Sequence, residues 1–136
     1  MEVEMRDSNR WALAASVTVL GLALAGCGSG SPTVEEDPQA SLEAAGTTWV
    51  ENFYAGDASK AYDLFTEECK QTFTEDEFTA LADFSQASDH EITDVTATVQ
   101  GETGIVDFTD NGERETGMPW VIEDGEWRNS DCTLRQ

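Results

Sequence analysis

Trp49-Val-Glu-Asn-Phe-Tyr-Ala-Gly-Asp-Ala-Ser-Lys-Ala-Tyr-Asp-Leu-Phe65 decides the fold reading. Upstream, Leu42, Ala45, Trp49, Val50 and Phe53 recur at helical spacing until Gly56 interrupts them, which places one inward-facing stripe on a first helix. Asp37-Pro38 supplies its start, an acid able to accept from free backbone N–H groups followed by a proline suited to a first turn. Asp57 can cap a second helix with Ala61, Tyr62, Leu64, Phe65 and Cys69 on or beside one face. Only Gly56-Asp57 joins the two, so they must turn sharply against each other.

A third helix has the clearest start. Thr74-Glu75-Asp76-Glu77 is a capping box, Phe73 and Phe78 occupy hydrophobic-staple positions, and Leu81, Ala82 and Phe84 extend the apolar side. The three acids also suit the positive end of the helix dipole.

Past Asp89 the period changes from helical to alternating. Val95, Ala97 and Val99 share one face of a β-branched run from Glu91 to Gln100. Gly101 to Gly104 turns the chain into a strand over Ile105 to Thr109, and Asn111-Gly112 is a hairpin signal. Met118, Trp120 and Ile122 mark one side of a third strand, and Asp124-Gly125 leads to a fourth with Trp127. The expectation is an α+β domain over residues 38–136: three N-terminal helices packed on a curved four-stranded antiparallel sheet.

Charge limits the partners. The chain carries 28 acids and 7 Lys or Arg, a formal net charge of −21. Such a surface repels phosphate backbones, so nucleic acid is not an expected partner, and it repels anionic lipid headgroups. The acidity reads first as a solvated surface; a salty habitat and a cationic partner are the alternatives. No Gly-x-Ser-x-Gly, Walker or HExxH pattern occurs, which leaves hydrolase and nucleotide-binding readings without support, and no cofactor is expected. Asp107, Thr109, Asn111 and Gly112 imitate the start of an EF-hand loop, but Met118 stands where a bidentate Glu is needed, so the hairpin explains them better.

The amino terminus bears on location. Trp11 to Ala25 is apolar but interrupted by Ser16 and Thr18, and it is shorter than the roughly 20 residues of a membrane span. It ends in Leu24-Ala25-Gly26-Cys27, which resembles the lipobox of bacterial lipoproteins. That resemblance implies a signal peptide over residues 1–26, cleavage before Cys27, and acyl chains on the Cys27 thiol. The protein would be a palmitate-bearing lipoprotein at the extracytoplasmic face of the cell membrane, held through those chains, with Cys27 and the GSGSPTVEED that follows it as a flexible acidic tether over residues 27–37. Glu2, Glu4 and Asp7 outnumber Arg6 and Arg10 in a region that should be positive, a conflict that a start at Met5 removes. With no Arg-Arg pair, the general secretory route fits better than the twin-arginine route.

If Cys27 is acylated, Cys69 and Cys132 alone remain, and outside the cytoplasm they have one possible pairing. His90 is the only histidine and the cysteine spacing is not CxxC, so a metal or redox site is a weak reading.

The helix, Gly-Asp link and Ala-rich second helix, followed by a third helix and a sheet, resemble the cone-shaped, cystatin-like roll of nuclear transport factor two, ketosteroid isomerase and scytalone dehydratase. The W..F..GD...A pattern and a Cys near the second helix are similar to those of small actinobacterial secreted lipoproteins of this fold, many of unknown function. The resemblance covers roughly residues 40–134. It implies a pocket between helices and sheet, lined by Trp49, Phe53, Tyr62, Phe65, Phe108 and Trp120, for a small apolar or amphipathic ligand. The competing reading of those aromatics is plain core. Catalysis of the isomerase or dehydratase kind would need a carboxylate facing a phenol, for which Asp107 with Tyr54 or Tyr62 is the available combination; His90 is expected at the surface. Three functions stay open: a non-enzymatic binding module for a ligand or envelope protein, such an enzyme, and a structural accessory of a secreted complex.

Overall fold

The computed structural model describes residues 37–134. The expected signal peptide, lipobox and Cys27, and nearly all of the tether, lie outside the described residues. Among the described residues no helix is long and apolar enough to cross a membrane.

Four helices precede four strands. Helix α1 spans Pro38–Ala55 and starts as the sequence indicates: the Asp37 carboxylate accepts from the backbone N–H groups of Gln39 and Ala40. Leu42, Ala45, Trp49, Val50 and Phe53 are all buried along one side. At its other end the Gln86 side-chain amide donates to the carbonyl of Phe53 at 2.9 Å, giving a terminal carbonyl the partner the helix itself lacks.

The expected second helix is two. Helix α2 covers Ala58–Asp63 and α3 covers Glu67–Thr72. Between them Phe65 forms a parallel bridge with Asn129; the Thr66 N–H donates to the Asn129 carbonyl at 3.0 Å, and the Asn129 N–H to the Leu64 carbonyl at 2.7 Å. A segment hydrogen-bonded to a strand cannot keep the helical ladder, and Thr66 restarts it by capping Cys69 through its hydroxyl. Apolar periodicity continues across the break, so periodicity alone reads through it.

Helix α4, Glu75–Gln86, carries the expected capping box. Phe73 and Phe78 pack with ring centroids 6.1 Å apart, as the staple requires. Phe84, expected on the apolar side, is instead 80 % exposed. It lies six positions after Phe78, about 240° around the helix, which puts it away from the stripe of Phe78 and Ala82.

The strands are β1 (Ile92–Gln100), β2 (Thr103–Asp110), β3 (Glu113–Glu123) and β4 (Glu126–Asn129), antiparallel and in sequence order. Asn111 and Gly112 have φ of 50° and 83°, Asp124 and Gly125 54° and 78°, the positive pairs that two-residue hairpins favour. Two bulges interrupt the sheet at one level. One falls between Thr93 and Thr96 of β1, with Asp94 at φ 51°; the other, between Val106 and Phe108 of β2, sets Thr116 and Gly117 of β3 against Asp107. Extra residues on neighbouring strands bend a sheet at that level and raise its twist.

The core lies between α1 and the inner sheet face, where Val106, Trp120 and Trp127 are fully buried. Close approach depends on missing side chains. A Cβ on Gly104 would stand 2.2 Å from Leu42 Cδ2, and one on Gly46 2.8 Å from Val106 Cγ1. The Trp127 indole N–H donates to the Ser41 hydroxyl at 3.0 Å, fixing β4 to the first turn of α1.

Cys69 and Cys132 lie at disulfide distance, with sulfurs 2.08 Å apart and Cα atoms 4.7 Å apart. The pairing joins α3 to the segment after β4.

Candidate functional site

Where the aromatic side of the helices meets the bulged part of the sheet, the two surfaces do not close completely. They leave a cavity of about 120 Å³. Its deep walls are Phe65, Phe78, Val106, Phe108 and Asn129, all at most 4 % exposed. Trp49 and Phe53, ring centroids 5.0 Å apart and nearly parallel, form the α1 side. Tyr54 lines it as well, edge-on to Phe53. Exposure rises toward Glu115, Thr116, Asp131 and Thr133, which form the mouth.

Four expected lining residues, Trp49, Phe53, Phe65 and Phe108, are in this wall, and two are not. Tyr62 stands behind it, its hydroxyl donating to the Phe73 carbonyl at 3.2 Å and its ring 5.9 Å from that of Phe78. Burial, with Glu75, Glu67 and Glu77 nearby, raises the Tyr62 phenol above its ordinary value. Trp120 is fully buried in the sheet core and does not reach the cavity.

The Asp107 combination does not assemble. Val106 and Phe108 point inward, so the intervening Asp107 points to the outer face, where its carboxylate accepts from the Gly117 N–H at 2.8 Å. Arg114 lies 3.7 Å from the same carboxylate and donates at 2.8 Å to both the Asp94 carbonyl and the Thr96 hydroxyl. This cluster holds the two bulges together across three strands. A carboxylate there cannot take a proton from a guest on the other side of the sheet.

His90 is half-buried rather than on the surface. Its Nδ1 is 2.8 Å from Asp110 Oδ2 and its Nε2 is 2.9 Å from the Ser85 carbonyl, while its ring packs against Tyr54 with centroids 4.6 Å apart and planes tilted by 46°. A His-Asp pair suggests a base, yet here the second ring nitrogen is held by a backbone carbonyl. The arrangement ties the end of α4 to the β2 hairpin.

The sequence reading missed Glu115. Strict alternation from Met118 and Trp120 puts even-numbered positions of β3 inward and Glu115 outward. The bulge shifts that parity: Glu115 is the cross-strand partner of the inward-facing Phe108, so both share the inner face. Gly117 inside an otherwise regular strand is the signal that could have revealed it. Asp131, Thr133 and Leu134 were missed because they follow the last strand and reach the cavity only where Cys132 is joined to α3.

Among the described residues no group of His, Cys, Asp and Glu is arranged to hold a metal ion, and the EF-hand-like positions form the β2–β3 hairpin. No protein-family model, curated protein or solved structure matches the chain.

Proposed function

We propose that this is a lipid-anchored binding module of the extracytoplasmic membrane face, a roll of the nuclear transport factor two type whose cavity holds a small, largely apolar guest. The observation that carries the binding part is the open aromatic cavity of about 120 Å³ between helices and sheet. A dry engineered cavity of roughly 150 Å³ accommodates benzene, so this volume suits a single-ring guest rather than a fused polycycle. The location rests on Leu24-Ala25-Gly26-Cys27 and the short apolar run before it. The outward placement of Asp107, whose carboxylate accepts from the Gly117 N–H, takes it out of reach of a guest in the cavity, so the Asp107–tyrosine pair of an isomerase-like mechanism is not formed.

Two experiments separate the parts. Metabolic labelling with a palmitate analogue is expected to mark the wild-type chain and not Cys27→Ala; equal labelling refutes acylation at Cys27. Titrating benzyl alcohol against the chain carrying a ¹³C-methyl label on methionine is expected to shift Met118, a cavity residue. A Met118 signal unmoved at millimolar benzyl alcohol refutes the cavity as a binding site.

A further inference from the structure

We infer that the cavity selects guests whose oxygen accepts a hydrogen bond and carries no proton, carbonyl, ester or ether compounds of single-ring size, over hydrocarbons of the same shape; this rests on the binding reading above. Two donors in the cavity wall lack a strong acceptor. Trp49 is 8 % exposed, and its indole N–H is buried with no hydrogen-bond partner among the described residues. The rings packed on it, Phe53 at 5.0 Å, Phe65 at 5.9 Å and Phe78 at 6.2 Å, offer only π faces, which accept an N–H weakly. Asn129 is 1 % exposed, and the acceptor that its side-chain amide nitrogen meets among the described residues is the Met118 sulfur at 3.5 Å, a weak one.

Both donors belong to one side of the cavity, since Phe65, edge-on to Trp49, is the residue bridged to Asn129. A buried donor left unpaired is costly, and folded proteins keep few of them without a role. Because the rings around the indole are hydrocarbon, the missing acceptor has to come with the guest. An oxygen without a proton fits better than a hydroxyl. It offers lone pairs to a donor and asks for no acceptor in return, whereas the Asn129 Oδ1 already accepts from the Asp131 backbone N–H at 2.8 Å. The guest would bury its ring against Phe78 and Met118 and turn its oxygen to the side of Trp49 and Asn129.

Acetophenone and α-methylstyrene have nearly the same shape, a carbonyl oxygen in the first standing where the second has a methylene group. Each would be titrated into the full chain in phosphatidylcholine nanodiscs, with empty nanodiscs as the partition control. The ¹³C-methyl resonance of Met118 reads occupancy, and the ¹⁵N-labelled indole N–H resonances read hydrogen bonding. Both guests are expected to move Met118, and acetophenone alone to move the Trp49 indole proton downfield. The Trp120 indole, also buried without an acceptor but outside this cavity, is the internal reference and should not move. Trp49→Phe keeps an aromatic ring and removes the donor, so it should lower the affinity of acetophenone relative to α-methylstyrene about fivefold. The wild-type indole shift decides the matter if that variant does not fold. A Trp49 indole proton that responds alike to both guests, or an affinity ratio unchanged by the substitution, would overturn the acceptor preference and leave the cavity reading intact. If neither guest moves Met118, both readings fall.

Discussion

The two faces of one stretch of sheet have opposite chemistry. Inside, Phe108 and Met118 border an aromatic cavity with Glu115 at its mouth; outside, Asp107, Arg114 and Thr96 form a polar clamp. The residues alternate along the same strands, and the β3 bulge decides which acid goes where. Without the extra residue at Thr116-Gly117, Glu115 would project outward, because a shift of one residue reverses a strand's facing. The inner surface therefore depends on packing and covalent closure, and the outer one on hydrogen bonds that water can replace. Substitutions on the inner side should cost more stability, and only they should alter guest binding.

The largest effect is expected at the closure. Cys69→Ser opens a link with sequence separation 63, for which chain entropy gives a loss of about 4 kcal/mol, an upper-end figure. It should also free the segment carrying Asp131, Thr133 and Leu134 and weaken guest binding. Thermal melts with and without reductant check this: the variant should melt lower only under oxidising conditions, and equal melting would show that the bridge contributes nothing. Next comes Gly104→Ala. The added methyl meets Leu42 Cδ2 at 2.2 Å in a packed core, and about 1–3 kcal/mol should be lost by urea denaturation.

On the outer face, Asp107→Ala removes the acceptor from the Gly117 N–H at an accessible site, so a loss of about 1 kcal/mol is expected. Benzyl alcohol should bind this variant as it binds the wild type, and reduced binding would show that the two faces are not independent. The smallest effect concerns the acid limb. The Thr74 backbone N–H, and then its hydroxyl, hold the Glu77 carboxyl below its ordinary value of 4.5. A lowered folded value means the stabilisation is present above the ordinary value and disappears as pH falls through the lowered one. Glu77→Gln should flatten that part of the stability–pH curve, measured by denaturation between about pH 5 and 2.

How much of this was legible depended on the range of the interaction. Caps and turns are local: Asp37, Thr74 with Glu77, Asn111-Gly112 and Asp124-Gly125 all stand where their side chains or φ preferences indicate. The buried stripe of α1 and the α+β order were legible for the same reason, since period reports burial directly. What failed was set by distant partners. The α2–α3 break exists because Leu64 and Thr66 bond to Asn129, 65 and 63 positions on, and no local signal between Tyr62 and Cys69 is as strong as that pairing. Asp107 was misassigned because facing on β2 depends on which neighbours lie over it. Glu115 was missed because alternation does not count bulges. In the cavity, aromatic character was readable but membership was not: Tyr54 and Tyr62 are equally aromatic, and only packing decides that Tyr54 lines the wall.

The central claim is that the aromatic interior is an open guest site and not filled core. Crystals of the protein pressurised with xenon test it most directly, because xenon enters apolar voids without needing a hydrogen bond. The expected result is a xenon peak among Phe78, Phe108 and Met118. A well-diffracting crystal with no peak there, and with those side chains in mutual contact, would contradict it.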